Sequence, residues 1–337
     1  MLLLGLLAML SVLLGYLSWK YVEMPFRNKD SVSLKKIFSY GFIASIFFIL
    51  IGLFGHFSKG FEIKFDKQII NLSKPLIGDS PECEKKNTVS GCKLGDYKSL
   101  PTIALLGDSH SGVLQQSLND LSKANSKSLI SFYGSWCAPL IDFGTDNLNK
   151  NPKCRDFINQ SFNAVLNDKN IATIVLVAEW GNYTDGYRWG DLDVTFYTDK
   201  KSNSKSISEN IESFYRAFER TITALSKKGK KVIIVESVPE YEADLPRYIS
   251  KSMFINGQIP LHIKSKIVPY EKRNQYIRNV TGRLKNDKNI KIIKTYDLFC
   301  KSGDCQYIDK SNLFYVDGNH LSKFGAEILA SEIFNHL

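Results

Sequence analysis

Gly107-Asp108-Ser109-His110 follows directly on the apolar run 102–106, and Asp317-Gly318-Asn319-His320-Leu321 stands near the other end of the chain. A serine hydroxyl is a weak nucleophile. It needs an imidazole to take its proton and a carboxylate to orient that imidazole. Ser109 lies where a predicted strand gives way to a predicted helix, so its hydroxyl stands clear of the sheet. The unpaired N–H groups of the helix start beside it suit a developing oxyanion. Asp317 and His320 are three residues apart. In a turn, that spacing lets the carboxylate reach one ring nitrogen while the other faces Ser109. The chemistry this points to is acyl transfer through a serine ester, with Ser109 as nucleophile, His320 as base and Asp317 as its orienter. Each fragment alone has a plain alternative: an ordinary turn and helix cap at 107–110, surface loop residues at 317–320. The combination is what points to catalysis. Of the other histidines, His56 ends an apolar run, His262 falls in a loop, His336 is terminal and His110 is expected to shape the turn.

The elements that must position these residues alternate. Strands are predicted at 102–106, 128–133, 171–178, 231–237 and 290–296, and helices at 111–123, 155–167, 207–228 and 322–337. The run 171–178 is continuously apolar, as in a strand buried on both faces. Strand–helix alternation predicts an α/β domain with a parallel sheet covered on both sides. Active residues of such sheets gather beyond the carboxyl ends of the strands. Ser109, Gly134 and the segment 180–182 each follow a predicted strand, which puts them on one edge.

The first 57 residues read differently. Residues 1–19 and 37–57 are two long runs without Asp, Glu, Lys or Arg, each able to span a bilayer. The connection at 20–36 holds Lys20, Arg27, Lys29, Lys35 and Lys36 against Glu23 and Asp30, and short basic loops stay cytoplasmic. The N-terminus and everything after about residue 58 are therefore expected on the outer side. Residues 58–98 are polar and broken by Pro and Gly, and read as a linker or an extension folded onto the domain at 99–337. Six cysteines fall into close pairs, Cys83 with Cys92, Cys137 with Cys154 and Cys300 with Cys305. Sequence leaves the connectivity open, but nearest-neighbour pairing is the expectation, and disulfides require an oxidising compartment. The formal charge of +10 is spread along the chain without a block of five like charges, so no nucleic-acid arm is read. It leaves a solvated surface, or an affinity for anionic glycan or membrane. No metal cluster and no dinucleotide or phosphate-loop glycine pattern is present.

The blocks Gly107-Asp108-Ser109-His110 and Asp317-Gly318-Asn319-His320 resemble the first and last blocks of SGNH (GDSL-like) hydrolases. The resemblance covers residues 99–337 and implies a flavodoxin-like three-layer α/β/α fold. It also implies an oxyanion hole from the Ser109 N–H, a glycine after the second strand, matched by Gly134, and an asparagine after the third. The asparagine block of that family is Gly-x-Asn-Asp. Here it reads Trp180-Gly181-Asn182-Tyr183, one residue out of step and without the aspartate. Asn182 is the residue it offers, with Trp180 or a rearranged loop as the alternative.

The segment from Tyr21 to Arg27 carries the pattern aromatic-x-Glu-x-Pro-x-Arg, and resembles the end of the last helix of acyltransferase-3 membrane domains. The Cys137-Ala138-Pro139-Leu140 block with Cys154 resembles the SGNH domains fused to them. This second resemblance implies an O-acetyltransferase of the lipopolysaccharide O-antigen type in the bacterial inner membrane, multi-pass, with its catalytic domain in the periplasm. The acyl donor, acetyl-CoA, would be used by the membrane domain, and no cofactor would be bound here. Only the last of that domain's many helices is matched. The resemblance therefore implies a fragment, a truncated product, or one half of a split system completed by a separate chain.

Aromatic residues bear on the acceptor. Trp180, Tyr183, Tyr187 and Trp189, with Asp185, Arg188 and Asp191, are expected either to bind a sugar or simply to pack a long loop. Residues 241–269 are expected as an irregular insertion forming another wall or a lid. Three readings stand at this point: an O-acyltransferase for a cell-surface polysaccharide, a membrane-anchored carbohydrate esterase, and an inactive glycan-binding domain.

Overall fold

The computed structural model describes residues 2–27, 33–58, 67–73, 77–78, 80, 83, 90–147, 151–187, 193–201, 205–260, 267–310 and 312–337. The chain divides into two units, Met1–Asp66 and Lys67–Leu337.

The first unit holds helices α1 (Leu2–Ser18) and α2 (Leu34–Phe57). The helical stretches Leu4–Glu23 and Leu34–Phe57 are both long and apolar enough to cross a membrane, and they bury nothing inside the protein. After α1 the backbone widens into a π-turn at Trp19–Glu23, where the Met24 N–H donates to Trp19 O. Pro25 follows at once. It has no N–H for a helical bond and its ring crowds the preceding turn, so widening there relieves both problems.

The second unit begins with a short helix, α3 (Lys67–Ser73), and is built on a six-stranded sheet. Its strands are β1 (Cys92–Gly95), β2 (Ile103–Gly107), β3 (Ser128–Tyr133), β4 (Thr173–Val177), β5 (Lys231–Val235) and β6 (Ile290–Ile293), in the order β1-β3-β2-β4-β5-β6. All neighbours are parallel except β1, which pairs antiparallel with β3. The segment expected as linker or extension thus supplies a sheet edge. β2 and β4, dominated by apolar residues, are fully buried. Alternation then sends their side chains into two cores. Leu105, Val175 and Ile233 meet Leu118, Leu329 and Ile333 on one face. Leu106, Leu176 and Ile234 meet Phe162, Phe214 and Phe218 on the other.

The covering helices are α4 (Ser109–Gly112), α5 (Gln115–Ala124), α6 (Cys154–Asn167), α7 (Trp180–Asp185), α8 (Ile207–Lys227), α9 (Leu245–Asn256), α10 (Ile267–Gly282), α11 (Thr295–Phe299) and α12 (Lys323–Phe334). Ser206 and Ser322 cap α8 and α12 by accepting from Glu209 N and Gly325 N. Two differences from the sequence expectation have local causes. The helix predicted at 111–123 is broken, because the Gln116 N–H donates to Gly78 O instead of to the previous turn. Gly78 alone permits that approach, since a Cβ there would lie 2.0 Å from Val113 O. The insertion expected at 241–269, of which 261–266 lie outside the described residues, contains a regular helix: α9 starts on an Asp244 cap with Pro246 in its first turn, and ends at Gly257 with φ 67°. Its periodicity is hidden because only Leu245, Pro246 and Ile249 are buried while Tyr248, Phe254 and Ile255 are exposed.

All six cysteines are bonded, Cys83–Cys92, Cys137–Cys154 and Cys300–Cys305, as expected from their spacing. Such bonds belong to an oxidising compartment, which fits a domain held outside the cytoplasm. Cys137–Cys154 closes a loop of 17 residues. Replacing both by Ser is expected to cost about 3 kcal/mol, read as a lower urea midpoint of fluorescence-monitored unfolding in detergent.

Candidate active site

Ser109 opens α4 immediately after β2, and His320 precedes α12. The two meet with Ser109 Oγ 2.7 Å from His320 Nε2. On the other side of the ring, His320 Nδ1 lies 2.7 Å from Asp317 Oδ2. The carboxylate holds the proton on Nδ1, which leaves Nε2 as the acceptor of the serine proton. The loop is preformed by its own backbone. Asp317 Oδ1 accepts the N–H groups of Asn319 (2.8 Å) and His320 (2.7 Å), and Val316 N donates to His320 O. Gly318 is required, because a Cβ there would lie 2.6 Å from Tyr241 O. Burial alone would raise the Asp317 carboxyl. The hydrogen bond and charge of His320 and the two N–H donors outweigh it, and hold Asp317 well below the usual carboxylate range.

Asp108 fastens the turn that carries Ser109. One of its oxygens accepts His110 N (2.9 Å), and the other accepts Glu179 N (3.0 Å) and the Tyr183 hydroxyl (2.8 Å). The end of β2 is thereby tied to the end of β4. His110 turns inward, its ring 4.9 Å from that of His320 and its Nε2 3.7 Å from Glu179 Oε2. Burial lowers its pKa to about 4 against the pull of Asp108. His110 therefore stays neutral and places no repelling charge beside a protonated His320.

Behind these residues sits Arg273 of α10, 2% exposed. It contacts three carboxylates: Asp185 (2.9 Å), Glu240 (3.1 Å) and Glu179 (3.3 Å). Burial disfavours its charge, but the three carboxylates outweigh that and raise its pKa. A Cβ on Gly181 would lie 2.9 Å from the guanidinium carbon, so glycine lets Arg273 press against α7.

A pocket of about 180 Å³ opens over Ser109 and His320 and is walled by Ser135, Trp136 and Asn182 among others. Asn182 reaches it from α7 despite the shifted spacing, and its Nδ2 also donates to the Tyr197 hydroxyl (3.2 Å). The N–H of Gly134, expected as an oxyanion donor, is hydrogen-bonded within the sheet. The parallel β2–β3 ladder runs one residue further and takes its N–H to Gly107 O (3.1 Å). Gly134 is small for another reason: a Cβ would meet Cys137 Sγ at 2.8 Å.

Two of the expected sugar platforms, Trp180 and Tyr183, are buried. Trp180 is 1% exposed, with Nε1 donating to Val235 O, so it is a core residue. Tyr183 is fully buried against Tyr197 and Phe143, and its hydroxyl serves Asp108. Tyr187 lies under the Arg273 guanidinium, 5.6 Å away. Trp189, Arg188, Asp191 and His262 lie outside the described residues. Sequence reasoning missed Trp136 and Arg273. Trp136 has a signal in hindsight, a tryptophan beside a disulfide cysteine in the loop after a strand. Arg273 has none, being one arginine in a polar helix.

Residues 79–334 match the family described as SGNH domain (fused to AT3 domains). The fold is close to the periplasmic domain of the lipopolysaccharide acetyltransferase of Salmonella ser. Paratyphi A, with a TM-score of 0.50 and 18% identity over 70% of this chain and 84% of that one. A GDSL-like lipase from Bacteroides thetaiotaomicron VPI-5482 aligns with a TM-score of 0.37 and 13% identity, over 69% of this chain and 86% of that one. No curated protein sequence matches the chain.

Two outcomes are expected. His110 titrates at 6.5 when unperturbed and at about 4 in the fold. Between those values the unfolded chain binds the extra proton, so its contribution, roughly 3 kcal/mol, is present above the window and lost as pH falls through it. His110→Gln should flatten the fall in unfolding free energy between pH 6.5 and about 4, measured by urea titration at several pH values. Equal slopes would show that His110 is not held neutral. Arg273→Met should cost roughly 3–5 kcal/mol by leaving three buried carboxylates uncompensated, read in the same unfolding assay.

Proposed function

Because this chain belongs to the family of SGNH domains fused to AT3 domains, we propose that it transfers an acetyl group to a hydroxyl of a cell-surface polysaccharide, of the lipopolysaccharide O-antigen kind, through an ester on Ser109. The observation that carries this reading is the unbroken line Asp317–His320–Ser109, with both links at 2.7 Å. Counted among the parallel strands alone, the sheet order is 2-1-3-4-5, which supports a flavodoxin-like SGNH arrangement with its site at the switch point.

In the first half-reaction the Ser109 oxygen attacks the acyl carbonyl as His320 Nε2 takes the hydroxyl proton. His320 then returns that proton to the departing group of the donor, leaving the acyl-serine. In the second half a sugar hydroxyl gives its proton to His320 and attacks the acyl-serine, and His320 reprotonates Ser109 as the sugar ester leaves. Asp317 keeps the imidazolium oriented throughout. The Ser109 N–H, at the open start of a helix turn, and Asn182 Nδ2 are the oxyanion donors in this scheme. The pocket of about 180 Å³ is small beside the usual 300–1,000 Å³ of ligand sites, which supports a short acyl chain.

The donor side belongs to the membrane. An acyltransferase-3 domain, in this polypeptide or on a separate chain, brings the acetyl group from cytoplasmic acetyl-CoA. The apolar helices anchor the disulfide-bonded domain on the periplasmic face of a bacterial inner membrane. A second reading, hydrolysis of acetyl esters on glycans, is favoured by the completeness of the triad, because attack by water needs no further group.

The test uses the full chain in detergent with a small acetyl ester as donor, in water and with added O-polysaccharide. Ser109-dependent appearance of acetylated glycan is expected. Free acetate alone, undiminished by glycan, would make the protein an esterase. Ser109→Ala is expected to abolish both products at unchanged folding, and Asp317→Asn to lower kcat by about 10⁴. Full activity in Ser109→Ala would remove the serine from the mechanism.

A further inference from the structure

We propose that Trp136 is the platform on which the ring of the acceptor sugar stacks, with Tyr133 and Ser135 completing that rim. This rests on the glycan reading of the site. The chain leaves β3 and turns through Gly134, Ser135 and Trp136 into the bonded Cys137. Trp136 adopts φ 66°, the left-handed region. For a bulky side chain this is a strained conformation, and such strain persists only where the surroundings impose it.

The surroundings here do impose it. The Cys137 N–H donates to Gly134 O at 3.0 Å, and Cys137 Sγ is bonded to Cys154. Gly134 has no room for a side chain beside that sulfur. Glycine would take the Trp136 conformation without strain, yet the largest side chain stands there. Trp136 is half-buried and lines the pocket that holds Ser109 and His320. Trp180, by contrast, has the relaxed helix and the buried ring of a packing residue.

The rim around Trp136 has the matching polar groups. The Tyr133 hydroxyl and Ser135 Oγ lie 2.8 Å apart and face solvent. An aromatic face flanked by hydroxyls suits a pyranose, which offers an apolar C–H face and an equatorial belt of hydroxyls. The pocket itself has volume for the acyl group, so the acceptor ring must lie over this rim while one of its hydroxyls points in. Trp136 then governs which hydroxyl is presented to the acyl-serine.

The experiment compares the full chain in detergent with its Trp136→Gly and Trp136→Phe forms. It reads acetyl transfer against O-polysaccharide concentration, glycan binding by titration calorimetry in the Ser109→Ala background, and the thermal unfolding midpoint. Trp136→Gly is expected to raise the acceptor KM and the glycan Kd about tenfold, with Trp136→Phe intermediate and the unfolding midpoint not lowered. A lowered midpoint with unchanged glycan affinity would make Trp136 a packing residue and overturn the proposal. So would equal glycan binding, or none, with and without Trp136. Failure of the transferase reading is separate: wild-type protein would then release only acetate, whatever its affinity for glycan.

Discussion

The Asp108 carboxylate is buried where the carboxyl ends of β2 and β4 lie side by side, and it bonds to both. In the sheet, Gly107 pairs with Val177, so the two chains leave the sheet at the same level. A backbone ladder can carry them no further, because β2 must turn into α4 and β4 into α7. Asp108 continues the connection with a side chain. It accepts from the first turn of α4, from Glu179 N and from the Tyr183 hydroxyl. The position of Ser109 relative to Asn182 is therefore set by a single carboxylate with three donors.

That arrangement explains the altered block after β4. Tyr183 follows Asn182 where the pattern of the SGNH resemblance has an aspartate. Its hydroxyl reaches Asp108, while its ring packs on Tyr197, whose own hydroxyl meets Asn182. Asn182 is thus held by neighbours of Asp108 without a carboxylate after it. From behind, Arg273 clamps α7 by Asp185 and Glu179, and Gly181 leaves it room. Ion clusters this deep are costly to desolvate, and replacing one by well-packed apolar groups is often neutral. The return here is rigidity in the helix that carries Asn182.

The third loop of the site is fixed covalently. Cys137–Cys154 joins the turn after β3 to the start of α6. Gly134 lets the sulfur approach, and its N–H extends the ladder to β2. The cost of that close packing is borne at Trp136, whose backbone is driven left-handed. A carboxylate, a disulfide and a buried arginine thus each hold one loop around Ser109, Asp317 and His320, which come from two short segments.

Much of this was legible in the sequence, and the reason is local. Continuous apolar runs with turn residues after them dictate parallel strands buried on both faces, and all five predicted strands form. Asp317 and His320 are close because three residues in a tight turn keep them within reach, and cysteines that can close short local loops favour their nearest neighbours. Ser109 could be picked out because a strand-to-helix turn exposes its hydroxyl by geometry alone. What remained hidden depends on contacts between distant segments. Gly134 stands at the right place after β3, but the pairing of β3 with β2 takes its N–H. Trp180 and Tyr183 look like exposed aromatics in a polar stretch, and the packing of α7 against α8 and α10 buries them. Arg273 gains its role only when α10 brings it to Glu179, Asp185 and Glu240, which lie 94, 88 and 33 residues away. Spacing along the chain determines which groups can react, whereas the packing of helices on the sheet decides which faces stay open to a substrate, because burial is a property of neighbours and not of the residue itself.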